Sequence, residues 1–511
     1  MNFLSSWWGK AEANEKIIQL LVVFLVVSVS LDRTVLVSIS TAAICLFLIY
    51  DCMKQKSLRG FYSPRRNWLG IAVFLISVLL ASVFSGDTGS IHIALKYIYW
   101  AVPFLMMVYF ESRTDTKYAV VAGVLLSLAV SFANVVYLSL HGLGPAEGRI
   151  GAFSLNPNYY SGLLISILPI LFCALFDTKL KGSRLYLVLN ATVIIIGLFA
   201  LWKTGSRSAM GGLFTGALVA LFFFCYMREN GKLFLKGLLL CIAVISMFLL
   251  AGIPGGTERL GDRVRLRQLQ SCYAMWKDHM ALGVGLNNWE QQYRTVYVQA
   301  DVIKQEAGRR YEALKAARKR AAKKKAAQKA VKQKAAKSAV IQAPVKKQAV
   351  GSAATQKPAV EGNTAKKAAV QKPKAKLTAK QKAAARKKAA KLEAARKAAF
   401  QNRILKHEAE LPIPHNVVAW FFSTTGIIGG AGYLFFVCYY LWRLYRKIHE
   451  EPENWVAFAG FWVFIAVTFH GLFDAGITNK AFARILYLML GLALSYSYNQ
   501  KQEGLAENQN G

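Results

Sequence analysis

A histidine stands in the step Pro414-His415-Asn416, where a long polar stretch gives way to an apolar run. Proline is favoured in the first turn of a helix, so the imidazole falls near a helix N-terminus, where the macrodipole disfavours protonation. A neutral imidazole is what a general base needs; the other reading is an interfacial or capping histidine. Three further places carry residues of chemical interest. Thr204-Gly205-Ser206-Arg207-Ser208 is a very short connection between two apolar runs, which fixes Arg207 at a membrane–water boundary. Such an arginine either snorkels to the interface or offers a planar, permanently charged fork for phosphate oxygens. Arg259, Arg263, Arg265 and Arg267 crowd ahead of Trp276-Lys277-Asp278-His279 and Gly283-Val284-Gly285, and Arg265, Leu269, Cys272 and Trp276 share one helical face. Amphipathic packing accounts for the apolar members of that face but not for the arginines, and His279 reads as a surface or packing histidine. Finally, Gly148-Arg149-Ile150-Gly151 runs into Asn156-Pro157-Asn158. Those glycines and the Asn-Pro step force tight turns, either as a plain re-entry loop or as part of a site.

The elements that must position these residues are membrane spans. The chain has 511 residues, is 55% hydrophobic, and repeats apolar runs of the ~17–25 residues that cross a bilayer. Spans are expected near 17–31, 34–50, 68–84, 92–110, 118–140, 159–176, 185–202, 208–227, 233–253, 415–441, 454–473 and 481–498. The fold class is therefore an all-α polytopic membrane protein of about twelve transmembrane helices, with one large loop between the ninth and tenth. Orientation follows from Lys and Arg in the short loops. One set of loops holds Lys54, Lys56, Arg59, Arg65, Arg66, Arg113, Lys117, Lys179, Lys181, Arg184, Arg228, Lys232, Lys236, Arg443, Arg446 and Lys447; the alternate set holds only Arg33, Arg149, Lys203, Arg207, Lys480 and Arg484. Both termini are thus expected in the cytoplasm and the 254–414 loop outside. Residues 1–16 carry Glu12 and Glu15 and lead into a first span read as retained rather than as a signal peptide. His470 and Asp474, at the end of the eleventh span, fall at the same outer surface as His415.

The formal charge of +37 suggests a nucleic-acid binder, but residues 301–400 hold 30 Lys/Arg against 5 Asp/Glu. One segment makes the protein basic, and its outward placement removes nucleic acid as a partner. Helix propensity is high over 303–343 and 376–403, with Pro344, Gly351, Pro358 and Pro373 breaking the middle. Two solvated helices joined by a flexible tip are expected, since neither carries an apolar stripe able to build a core. The segment reads as an expanded low-complexity insertion or as a holder of phosphate-rich lipid. The seven cysteines lack metal-site spacing and lie mostly in apolar runs, as core hydrophobes do. The chain divides into a bundle of about nine spans (1–253), the loop (254–414), three C-terminal spans (415–498) and a tail (499–511). Within the loop, residues 254–300 hold the arginines and residues 303–400 are the Ala/Lys-rich insertion.

Together the four places resemble the O-antigen ligase and polymerase superfamily of bacterial envelope glycosyltransferases. The resemblance rests on Gly-x-Phe-x-x-Asn-Pro-Asn at 151–158 and Ser-Arg-Ser-Ala at 206–209. It rests equally on Arg265 followed by a helix and a Gly-x-Gly turn, and on His415-Asn416 leading to Gly426-Ile427-Ile428-Gly429. It covers roughly residues 145–300 and 410–495, and the order of the motifs carries it more than any one of them. Leu269 stands where the family usually has an aromatic, and Met280 or Ala281 where a proline often precedes the turn; the insertion lies outside the pattern. The resemblance implies a periplasmic active site in the bacterial inner membrane and a glycan donor carried on undecaprenyl pyrophosphate. The acceptor is a hydroxyl, foremost that of lipid A-core in lipopolysaccharide biosynthesis. His415 would activate or orient that hydroxyl, Arg207 and Arg265 would hold the donor pyrophosphate, and Arg149, Asn158, Asn416 and Arg263 would support them. Pyrophosphate leaves readily, so charge stabilisation is the main demand. The outward loops have no Asp-x-Asp pair for a divalent ion, so neither metal nor cofactor is expected. A glycan polymerase and a protein O-oligosaccharyltransferase would use the same donor. A transporter of the lipid-linked glycan would instead place its ionisable groups near the bilayer midplane.

Overall fold

The computed structural model describes residues 13–31, 33–56, 59–61, 65–143, 149–153, 155–177, 180, 182–250, 260–341, 379–409, 414–474 and 476–495. The expected tail, Arg259, the middle of the insertion, and Gly148 and Ser154 of the first motif lie outside them. Every regular element among the described residues is helical.

Each of the twelve apolar stretches contains a helix. In chain order these are α1 (Ala13–Ser30), α2 (Thr34–Gln55), α3 (Arg65–Phe84), α4 (Thr88–Glu111), α5 (Lys117–Leu140), α6 (Pro157–Ala174), α7 (Arg184–Thr204), α8 (Arg207–Met227) and α9 (Gly231–Leu250). After α10 (Leu260–Asp278), α11 (Ala300–Ile341) and α12 (Ala379–Ala409) come the last three, α13 (Val417–Glu450), α14 (Trp455–Gly471) and α15 (Lys480–Ser495). Among the described residues nine helices, α1 to α8 and α13, are long and apolar enough to cross a membrane.

The shortness of α14 and α15, 17 and 16 residues, follows from where they lie. Every residue of α15 from Ala481 to Ser495 is buried. It packs on α4, α14, α1 and α6, while α14 packs on α8, α6 and α13. A helix wrapped by other helices need not present ~30 Å of hydrocarbon-matching surface itself. The periphery carries that surface instead: Ile39, Leu46 and Ile49 of α2, Val188 and Ile195 of α7, and Leu239 and Leu240 of α9 are exposed. Such a broad apolar exterior suits lipid rather than water. Small residues let the inner helices approach, as where Gly212 of α8 meets the Ala466 carbonyl and Gly491 of α15 meets that of Phe104.

α13 is not continuous. Gly426 adopts φ 62°, ψ −156°, which breaks the helix between Thr425 and Ile427. The freed main-chain groups are taken up by the Gly283-Val284-Gly285 turn. Val284 N–H donates to the Ser423 carbonyl and Gly285 N–H to that of Thr424, both at 2.9 Å, and Ile427 N–H donates to the Met280 carbonyl, also at 2.9 Å. Irregular backbone inside a membrane bundle survives only when protein satisfies it in this way. A Cβ at Gly426 would strike the Ala281 carbonyl, and the backbone conformation itself is one that only glycine adopts without about 1–3 kcal/mol of strain. Gly426→Ala should therefore lower the thermal unfolding midpoint and open the 279–290 segment to protease. An unchanged midpoint and cleavage pattern would refute this account of the junction.

Residues 299–410 form a separate unit. The expected helices at 303–343 and 376–403 are found as α11 and α12, and they pair antiparallel rather than standing alone in solvent. Lys397 binds Glu312 at 2.9 Å, Lys315 binds Glu393, the Tyr311 and Phe400 rings lie 5.8 Å apart, and Gln401 donates to the Lys304 carbonyl at 2.7 Å. Cross-helix ion pairs and one aromatic contact thus substitute for the missing apolar stripe.

Candidate functional site

The site grows from the start of α13. Asn416 caps that helix, its Oδ1 accepting from Ala419 N–H at 2.8 Å, and its Nδ2 donates to the Leu472 carbonyl at 2.9 Å. One side chain thereby fixes His415 against the turn that follows α14. That turn presents Asp474, which is 2% exposed. Its Oδ1 lies 3.5 Å from His415 Nδ1 and its Oδ2 lies 3.5 Å from Arg265 Nη2. Both are ion-pair contacts, longer than the ~2.7–3.2 Å of an N–H···O hydrogen bond. α10 holds Arg265 there because it is clamped to α13, through the Trp276–Phe422 ring contact at 5.6 Å and the main-chain junction at Gly426.

One turn before Asp474, the fully buried His470 has its Nδ1 3.0 Å from Ser208 Oγ, and Ser206 Oγ is 3.4 Å from that hydroxyl. These serines flank Arg207, the half-buried first residue of α8. The Asn-Pro-Asn loop joins the same connection: Arg149 Nε donates to the Thr204 carbonyl at 2.6 Å and its Nη2 to Asn158 Oδ1 at 2.8 Å, and Ile150 N–H donates to the Lys203 carbonyl. Asn156 caps α6.

All four sequence places thus meet at one end of the bundle. His415 and Arg265 share Asp474, and the segment of Arg207 reaches the same cluster through Ser208 and His470. Arg149, Asn158 and Asn416 are engaged in bracing loops and caps, so they set positions. The side chain of Arg263 lies outside the described residues. Sequence reasoning set Asp474 and His470 at the right surface but left them out of the site, although Asp474 is the group on which His415 and Arg265 meet. The available signal was an apolar helix closing on two ionisable residues four apart, an arrangement membrane helices rarely keep without use.

Burial alone raises the Asp474 carboxyl, but contact with His415 and the charges of His470, His415 and Arg265 outweigh it and hold it at about 2, below the ordinary ~3.9. The folded value lies below the unfolded one, so this group contributes stability that is present above about pH 4 and lost as pH falls towards 2. The amount is on the order of 2 kcal/mol. Unfolding midpoints of wild type and Asp474→Asn should therefore differ above pH 5 and converge between pH 4 and 2. A difference that stays constant down to pH 2 would contradict the assignment.

The geometry can orient an imidazole. With Nδ1 turned towards the carboxylate, the His415 ring presents its Nε2 on the far side, the placement by which a buried carboxylate orients a catalytic histidine. Arg265 adds a guanidinium beside it, about a third exposed and so able to reach an anion. Neither the protein-family models nor the curated proteins compared with this chain match it.

Proposed function

We propose that the protein is a metal-independent glycosyltransferase of the bacterial inner membrane, moving a glycan from undecaprenyl pyrophosphate to an acceptor hydroxyl, foremost on lipid A-core. All twelve apolar helices cross the bilayer in this reading, with both termini cytoplasmic and the His415 end facing the periplasm. The observation that carries it is the convergence of His415 and Arg265 on Asp474, with the Arg207 segment tied in through Ser208 and His470. In the reaction, the acceptor oxygen attacks the anomeric carbon, and its proton passes to His415 Nε2. The bond from that carbon to the pyrophosphate oxygen breaks, and undecaprenyl pyrophosphate leaves with its added charge held by Arg207 and Arg265. A base and two cations at one membrane surface suit chemistry on a lipid-linked anion better than passage of it.

The test is transfer in proteoliposomes holding undecaprenyl-pyrophosphate-linked glycan and lipid A-core, with a chelator present. Wild type should transfer under chelation, and Arg207→Lys and Arg265→Lys should each lose at least about 10-fold. The Arg265 guanidinium must hold Asp474 and phosphate at once, which a lysine cannot do with one ammonium. Full activity of the double lysine variant, or an absolute need for a divalent ion, would overturn the charge clamp. In a deletion strain, loss of the whole lipopolysaccharide ladder with intact core identifies ligation, and a single-repeat band identifies polymerisation.

A further inference from the structure

The two faces of α10 differ in a way that packing within the bundle does not explain. Val264, Gln268, Cys272 and Met275, spaced as one helical face, are buried against the bundle. On the other side Leu266, Leu269 and Tyr273 are 57%, 42% and 62% exposed. Steps of three and four residues align them in a single stripe, with Arg265 at one edge and Lys277 at the other. A surface helix in water turns its apolar face inward and its charges outward. α10 instead shows an apolar stripe to its surroundings, although it is not among the described helices apolar enough to cross a membrane.

The place of α10 in the fold says what meets that stripe. Near its start, Arg265 lies 3.5 Å from Asp474 in the turn between α14 and α15. Past its end, Met280 to Val284 share a cavity of about 480 Å³ with Phe84 and Ser85 at the end of α3. Asn287 N–H then donates to Ser90 Oγ at the start of α4, at 3.2 Å. α3 and α14 both run antiparallel to α13: Gly70 faces Tyr440 and Gly432 faces Ser77, while Asn416 bonds to the Leu472 carbonyl. Both therefore finish where α13 begins, and α10 is tied to both finishing points. Its 19 residues span about 28 Å, so it lies across that end of the bundle instead of passing through it.

Apolar surface continues from the stripe onto the flank of the bundle. Leu472 and Phe473, which precede Asp474, are exposed, and so are Val83 and Phe84 at the end of α3. They join α10 to the same exterior that α2, α7 and α9 turn towards lipid. A helix with leucines and a tyrosine on one face and cations at the edges of that face has the composition of one lying in the plane of a membrane surface. Tyrosine suits the boundary between hydrocarbon and headgroups, and Arg265 and Lys277 complement anionic phosphates. Water would leave three large apolar side chains uncovered. A second copy docked stripe to stripe would set the same cations against each other.

We infer that α10 is an interfacial helix whose stripe of Leu266, Leu269 and Tyr273 beds into the bilayer surface at the His415 end, holding Arg265 at the depth of the phospholipid phosphates. The test needs no glycan transfer, so its outcome is independent of the proposed chemistry. Full-length protein with photoreactive benzoylphenylalanine in place of Tyr273 is placed in nanodiscs of phosphatidylethanolamine and phosphatidylglycerol and irradiated, and its adducts are identified by mass spectrometry. The same photoreactive group in place of Leu46, exposed on α2, supplies the lipid-facing reference. Acyl-chain adducts at position 273 should come within about 3-fold of that reference. Leu266→Asp combined with Leu269→Asp, both at exposed positions, should cut the adducts at position 273 at least about 5-fold and leave those at position 46 unchanged. Absence of lipid adducts at position 273, a cross-linked dimer in their place, or yields there that do not respond to the double substitution would overturn the assignment.

Discussion

Purified His415→Ala protein should insert and fold as wild type does yet transfer glycan about 10²–10⁴-fold more slowly, the usual cost of losing general-base help. That corresponds to about 3–5 kcal/mol on the barrier. The fold should tolerate the change because the residue is partly exposed and its ion-pair partner is Asp474 at 3.5 Å. The start of α13 is secured separately by the Asn416 cap. Single-turnover rates with radiolabelled donor, alongside thermal unfolding of the same preparation, separate the two effects. Near-normal transfer by folded mutant would take His415 out of the mechanism.

Asp474→Asn should be nearly as damaging through a different route. The amide keeps the shape of the side chain but removes the charge that faces both His415 and Arg265, so the imidazole loses its set orientation and the guanidinium its fixed position. Removing one partner of a buried pair costs about 3–5 kcal/mol when both are enclosed. Here His415 and Arg265 are a quarter to a third exposed at the side chain, so about 1–3 kcal/mol of stability is expected. Because Asp474 acts through His415, adding Asp474→Asn to His415→Ala should slow transfer far less than it does alone. Fully additive losses would mean that Asp474 serves the fold and not the histidine.

What could be read from the chain, and what could not, divides along a physical line. Long apolar runs are a local property, and each of the twelve contains a helix, although α13 runs to Glu450, nine residues past the expected end at 441. The connections bearing Arg207, Arg149 and His415 were legible for the same reason, since a charge or a tight turn between two apolar runs has few places to go. Features that depend on partners were hidden. Nothing local says that Asp474 is buried, because burial comes from α10 and the start of α13, far away in sequence. The break at Gly426 was masked by flanking apolar residues that would support an unbroken helix. α11 and α12 lack the periodic stripe that announces packing, and their pairing depends on glutamates whose partner lysines lie 78 and 85 positions away.

The junction between the Gly283–Gly285 turn and the broken α13 is made of main-chain donors and acceptors. Such a joint restricts residue identity only where a side chain would collide, as at Gly283, whose Cβ would run into the backbone of Thr424 and Thr425, and at Gly426. Between those fixed points, descendants of one ancestral chain can exchange nearly every neighbouring side chain and still bring the same histidine, arginine and aspartate together. The spacing of a few glycines and charges would then outlast overall likeness of sequence by a wide margin.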